Sequence, residues 1–177
     1  CEFVLKGKNL KLESFSEYKS NYQNPRILDL HDTGWSILRP NKSWEIIFKS
    51  GKSGPNHLLG HSHSDFHTFD IFYNGKLIIG ETGTSQYELS NIRNYERSAI
   101  SHNIIQFANK KEINLEKIKD WHQPLEVWDS FRVARKPKII NSSYGVTSNE
   151  NLWVQGVYYP FQKYIERIER MMKIKIL

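Results

Sequence analysis

Asn74-Gly75 sits between two runs of strand-forming residues. Upstream, Thr68 to Tyr73 puts Phe69, Ile71 and Tyr73 on one face, and downstream comes Lys76-Leu77-Ile78-Ile79. Both central residues of a type I′ turn need φ > 0, which Asn and Gly accept most readily, so the pair predicts a β-hairpin. A side-chain period of two commits a chain to strands, because alternate residues point to opposite faces. The same period runs through Trp44–Lys49, where Trp44, Ile46 and Phe48 share a face. Further strands are expected at Gly34–Leu38, Asn103–Phe107, Val127–Val133, Ile139–Ile140 and Leu152–Tyr159. Breakers at Pro40-Asn41, Gly51 to Pro55, Gly83, Asn109 and Asn141-Ser142-Ser143 separate these runs. At the C-terminus, Tyr164, Ile165, Ile168, Met171 and Met172 have helical spacing, while Ile168, Met172, Ile174 and Ile176 also fit alternation. The strand-rich context favours strands there. Many short strands with turn signals between them indicate an all-β sandwich or barrel. An aromatic content of 13% suits such a core. Residues 1–25 are polar and weakly periodic, an expected entry segment to a domain over 26–177.

At 177 residues the chain is one domain's worth and long enough to own a core without staples. Cys1 is its single cysteine, so no internal disulfide framework exists. No apolar run approaches the length of a membrane span. An opening of Cys1-Glu2-Phe3-Val4, with no leader pattern, is expected of a part of a longer protein. The formal charge is +6, which favours an anionic partner: nucleic acid, an acidic polysaccharide or a membrane surface. The charges are spread thinly, which also fits plain compositional bias.

Of seven histidines, His57, His61, His63 and His67 crowd one short stretch. A His-x-His pair on a strand places both rings on one face, a start for a metal site. Glu81 follows the second arm of the hairpin, and His102 opens the next strand candidate. His63, Glu81 and His102 would then surround a zinc-like ion with one open position; the alternative is chance clustering of surface histidines. Asp65 would orient a ligating ring or cap a turn. His67 aligns with Phe69 and Ile71 and reads as a core or edge histidine. His31, His57 and His122 lie in polar loops and carry no assigned role.

A longer series of motifs follows. Gly60-His61-Ser62-His63-Ser64-Asp65 leads to Phe69 and Asn74-Gly75, then to Gly80-Glu81-Thr82-Gly83-Thr84 and Tyr87. Arg93, Tyr95, Arg97 and Ser101-His102-Asn103 come next, and then Glu126 to Arg135, read Glu-Val-Trp-Asp-Ser-Phe-Arg-Val-Ala-Arg. This order and spacing resembles the heparinase II/III-like C-terminal domain of polysaccharide lyases, from about Trp35 to Arg135 and more loosely to Leu177. The resemblance implies an antiparallel β-sandwich, joined in such enzymes to an α/α toroid that would precede Cys1. It implies β-elimination on a uronic-acid polysaccharide, with a toroid tyrosine and the histidine matching His61 sharing the proton transfers. Imidazole suits that work because it takes and gives protons near neutral pH. The family's metal position matches His63, Glu81 and His102; its usual carboxylate is Asp, and here it is Glu81. Tyr87 matches a cleft tyrosine that donates a proton or binds sugar, or else a strand-end tyrosine. Arg93 and Arg97 would pair with sugar carboxylates, with a structural ion pair as the alternative for Arg97. Trp128 and Phe131 are expected in the sandwich core rather than on sugar. Asn103 would support the metal loop or pair with backbone.

The resemblance thus implies an acidic polysaccharide partner rather than nucleic acid, a zinc cofactor, and a bacterial protein of the periplasm or exterior. Two rivals remain: a non-catalytic carbohydrate-binding or surface-polysaccharide module, and a cupin-like metalloenzyme. The Tyr87–Arg97 loop and the Trp128–Arg135 stretch argue against the cupin.

Overall fold

The computed structural model describes residues 26–54, 57–106, 124–161 and 166–175. The entry segment expected over residues 1–25 lies outside them, as do Phe107 and Asn109. Five antiparallel strands form a meander in sequence order: β1 (Arg26–Leu30), β2 (Trp35–Arg39), β3 (Trp44–Lys49), β4 (Phe69–Tyr73) and β5 (Lys76–Ile79). The β4–β5 hairpin turns at Asn74 and Gly75, with φ of 48° and 76°, as the pair predicts. After β5 comes α1 (Asn91–Arg97), then the short pair β6 (Glu126–Val127) and β7 (Val133–Arg135). The chain ends in a second antiparallel sheet, β8 (Lys138–Val146), β9 (Leu152–Tyr159) and β10 (Ile168–Ile174), with β9 central.

The two sheets bury one shared core. Leu38, Ile46 and Phe48 from the first sheet meet Leu152 and Val154 of β9, with Ile71 and Met172 packed at the margin. In β9 the inward residues are Leu152, Val154, Gly156 and Tyr158, an unbroken period of two. This face-to-face packing makes the all-β fold a sandwich. A second cluster of Phe66, Leu125, Tyr158 and Ile168 holds the loops at one end.

Four expectations need correction. Asn103 to Gln106 is bent and irregular rather than a strand, because the Asn103 side chain is spent on Phe69. Val127–Val133 is not one strand: residues 128–132 form the loop between β6 and β7. Asn141-Ser142-Ser143 does not break the chain but lies within β8, where pairing with β9 overrides weak strand propensity. Trp128 is not core; it is 69% exposed, and Phe131 is 37% exposed. The C-terminal strand reading matches β10.

Candidate functional site

Three connections converge at one end of the first sheet. The long β3–β4 connection carries His61, at the end of a 3-10 turn Leu59–His61, and His63. The segment after β5 carries Glu81, Thr84 and Tyr87, and α1 with the turn Ala99–Ser101 leads to His102. Ser90 caps α1 by accepting from the Arg93 backbone N–H at 3.1 Å.

α1 turns its charges inward. Arg93, Glu96 and Arg97 are buried, at helical spacing of three and four, while Ile92 and Tyr95 face solvent. Sequence patterning misses such a helix, since an ordinary surface helix buries its apolar face. Arg97 is fully buried and donates to three carbonyls: Ser62 O at 2.8 Å, Asp129 O at 2.6 Å and Leu59 O at 2.9 Å. Its own carbonyl accepts from Ser64 N at 2.8 Å. One residue therefore brackets the His61–His63 segment. Arg93 is also fully buried; Nη1 donates to Thr84 Oγ1 at 3.2 Å and lies 3.1 Å from His63 Nε2. Its guanidinium stacks on Tyr87, 4.8 Å from the ring centroid. Both arginine forks, expected to pair with sugar carboxylates, are turned inward onto loop atoms in this structure. Among the described residues Arg97 makes no ion pair; its donors are spent on backbone.

Neither arginine has a carboxylate within ion-pair distance among the described residues, although Glu96 is close enough to feel Arg93. Two buried positive charges thus sit beneath the histidine segment. Burial, chiefly, pushes the His63 pKa down to about 4; His102, Arg93 and Arg97 push the same way, against Asp65. His63 is neutral at neutral pH. Burial and Arg93 also lower Arg97 to about 10.

His63 and His102 meet, with ring centroids 5.4 Å apart. His102 Nδ1 contacts Glu81 Oε2, so Nδ1 carries the proton and the carboxylate accepts it. His102 Nε2, on the other side of the ring, is buried and without a hydrogen-bond partner. Glu81 Oε1 accepts from Thr68 Oγ1 and from Asn103 N at 3.2 Å. Asn103 pairs with backbone as one of its two readings had it, Nδ2 donating to Phe69 O at 2.6 Å, and its own N–H holds Glu81.

Of the three expected metal residues, His63 and His102 come together, and Glu81 contacts His102 through Nδ1, on the far side of the ring from its unpartnered Nε2. Two imidazoles sharing one tetrahedral ion have centroids about 5 Å apart, given Zn–N near 2 Å. An unpartnered Nε2 on a ring oriented by a carboxylate at its other nitrogen is the arrangement ligating histidines show. Yet among the described residues no group of three or more His, Cys, Asp or Glu is placed to hold a metal ion. Glu81 is engaged by its neighbours, and Arg93 faces His63 Nε2.

His61 and Tyr87 lie outside this buried cluster. Both are exposed, and their rings tilt together with centroids 5.3 Å apart. Tyr87 is therefore no half-buried strand-end residue. Asp65 pairs with Lys49 rather than orienting a ring. His67 is buried between Phe48 and Tyr158, as the alternation suggests. Arg170 of β10 went unforeseen; it donates to His67 O at 2.8 Å and Asn103 O at 2.6 Å. Nothing local in the sequence signals a contact across that many residues.

Among the described residues no helix is long and apolar enough to cross a membrane. A family model described as "Heparinase II/III-like, C-terminal" matches residues 23–166. A search of curated proteins finds no match.

Proposed function

The chain belongs to the heparinase II/III-like C-terminal family, and on that premise we propose that it forms the sandwich part of a polysaccharide lyase. The reaction is β-elimination on a uronic-acid-containing chain. The observation that carries this reading is the exposed His61–Tyr87 pair above two buried, un-ion-paired arginines.

Removing the C5 proton of a uronic acid builds negative charge on the adjoining carboxylate. A fixed positive field lowers the cost of that charge without having to reorganise. Arg93 and Arg97 provide such a field from behind the site. His61 accepts the C5 proton. The C–H electron pair becomes the C4–C5 double bond as the C4–O4 bond breaks, and a tyrosine hydroxyl protonates O4. Tyr87 is the tyrosine that this chain places beside His61. A toroid domain of the same protein would close the cleft and add a second tyrosine. We place the protein in the periplasm or outside the cell, where such polymers are met.

His63 and His102 would hold the zinc ion, with Glu81 behind His102 on Nδ1 rather than on the metal; when bound, the ion would supply a fixed charge that ties His102 to the histidine segment. This chain's own part is to keep His63 neutral and His102 oriented through Glu81.

The test is incubation of the protein, together with its toroid, with uronic-acid polymers. New ultraviolet absorbance from the unsaturated product is expected. Its absence on every acidic glycan, with the protein folded, would leave a binding module instead.

A further inference from the structure

We propose that the β6–β7 loop, Trp128 to Arg132, is a sugar-binding subsite beside His61. It would take one acidic ring of the same polysaccharide, and so rests on the lyase reading. Trp128 supplies the stacking face and Arg132 the group that meets the carboxylate or sulfate.

Trp128 is the most exposed aromatic residue among the described residues, and it is not loose. Its backbone N–H donates to Arg132 O at 3.0 Å. Asp129 Oδ1 accepts from Phe131 N at 2.9 Å and from Arg132 N at 2.8 Å, which fixes the turn. Ser130 Oγ donates to Asn94 Oδ1 of α1 at 2.8 Å, anchoring the loop below. A loop held this firmly has already lost much of the backbone freedom that binding at its exposed ring would take from it.

The charge beside it is also set. The Arg132 guanidinium lies 4.8 Å from the Trp128 ring centroid, so one face of the indole is covered by a cation. Arg132 is itself mostly exposed, and its pairing with Asp129 at 2.5 Å uses Nε alone. A pyranose offers a C–H face to an indole, and a uronic acid adds an anion at the ring edge, which a guanidinium meets in fork geometry.

The loop is joined to the histidine segment. Phe131 O lies 3.3 Å from where a side chain on Gly60 would begin. Arg97 bonds Asp129 O on one side, and Leu59 O and Ser62 O on the other. A ring on Trp128 would therefore stand in fixed relation to the ring at His61.

The experiment titrates the chain with oligosaccharides of hyaluronan, heparan sulfate and alginate, with a neutral cello-oligosaccharide as control. Binding to at least one acidic series is expected. Trp128→Ala should weaken it at least tenfold, Trp128→Phe should recover most of that loss, and Arg132→Gln should erase the preference for acidic over neutral chains. Trp44→Phe, on the first sheet, should bind like wild type. If an acidic series binds but Trp128→Ala and Arg132→Gln bind equally well, the subsite is wrong and the lyase reading stands. If no acidic glycan binds the wild type, both the substrate class and the subsite fall.

Discussion

Arg93 Nη1 lies 3.1 Å from His63 Nε2. An arginine only donates, so that nitrogen holds a lone pair and the ring proton sits on Nδ1. The same lone pair is what a metal would need. Arg93→Met should therefore strengthen zinc binding about tenfold, and His102→Ala should weaken it by more than the roughly 10- to 100-fold that loss of a supporting partner costs. Competition against a coloured chelator measures both. Equal affinity in Arg93→Met and wild type would show that the guanidinium does not compete for His63.

Arg97 is the tie between two loops, and its geometry is particular to a planar fork. Arg97→Lys leaves an ammonium that cannot meet Ser62 O, Asp129 O and Leu59 O together. The variant should lose about 2–4 kcal/mol of stability, since buried carbonyls are left unpaired. Denaturant unfolding gives the value. A Lys variant as stable as wild type would mean that the carbonyls find other partners.

His67 makes the fold sensitive to acid. Its two ring nitrogens are buried without partners, and burial, then Arg170, pushes its pKa from 6.5 to about 4. The unfolded chain binds the proton at higher pH than the folded one. Stability is therefore full above pH 6.5 and falls as pH drops toward about 4. A shift of this size corresponds to about 3 kcal/mol. His67→Asn accepts the backbone φ of 61° and does not titrate. It should be less stable at neutral pH, yet lose roughly half of the acid slope, with His63 supplying the rest. Unfolding curves from pH 7 to pH 4 decide it; an unchanged slope would contradict the assignment.

Gly156 of β9 lies directly under that ring, and a Cβ there would enter the His67 imidazole. Gly156→Ala should cost about 1–3 kcal/mol, read as a lower thermal midpoint. A neutral effect would mean that His67 can move aside.

Local rules carried the sequence reading far into the fold. The Asn74-Gly75 hairpin, β3 and β9 were legible because each is decided by alternation and a turn. The limits of β8 were not, because its pairing with β9 comes from residues that no local rule connects. The site divided in the same way. His63, Glu81 and His102 could be named from spacing, and His61 and Tyr87 from the family resemblance; the structure brings them to one end of the sheet. The loop contacts of Arg93 and Arg97 were not legible, because a helix that buries charge inverts the usual pattern. Trp128 was assigned to the core on its apolar character alone, and the β6–β7 loop carries it outward.

The most direct measurement is the rate of unsaturated product formed from a uronic-acid polymer by the protein and by its His61→Ala variant. His61 is exposed, so the variant should fold as wild type does. The account predicts that ultraviolet absorbance rises with wild type and that the variant is at least about 100-fold slower. Product formed by His61→Ala at the wild-type rate would contradict it.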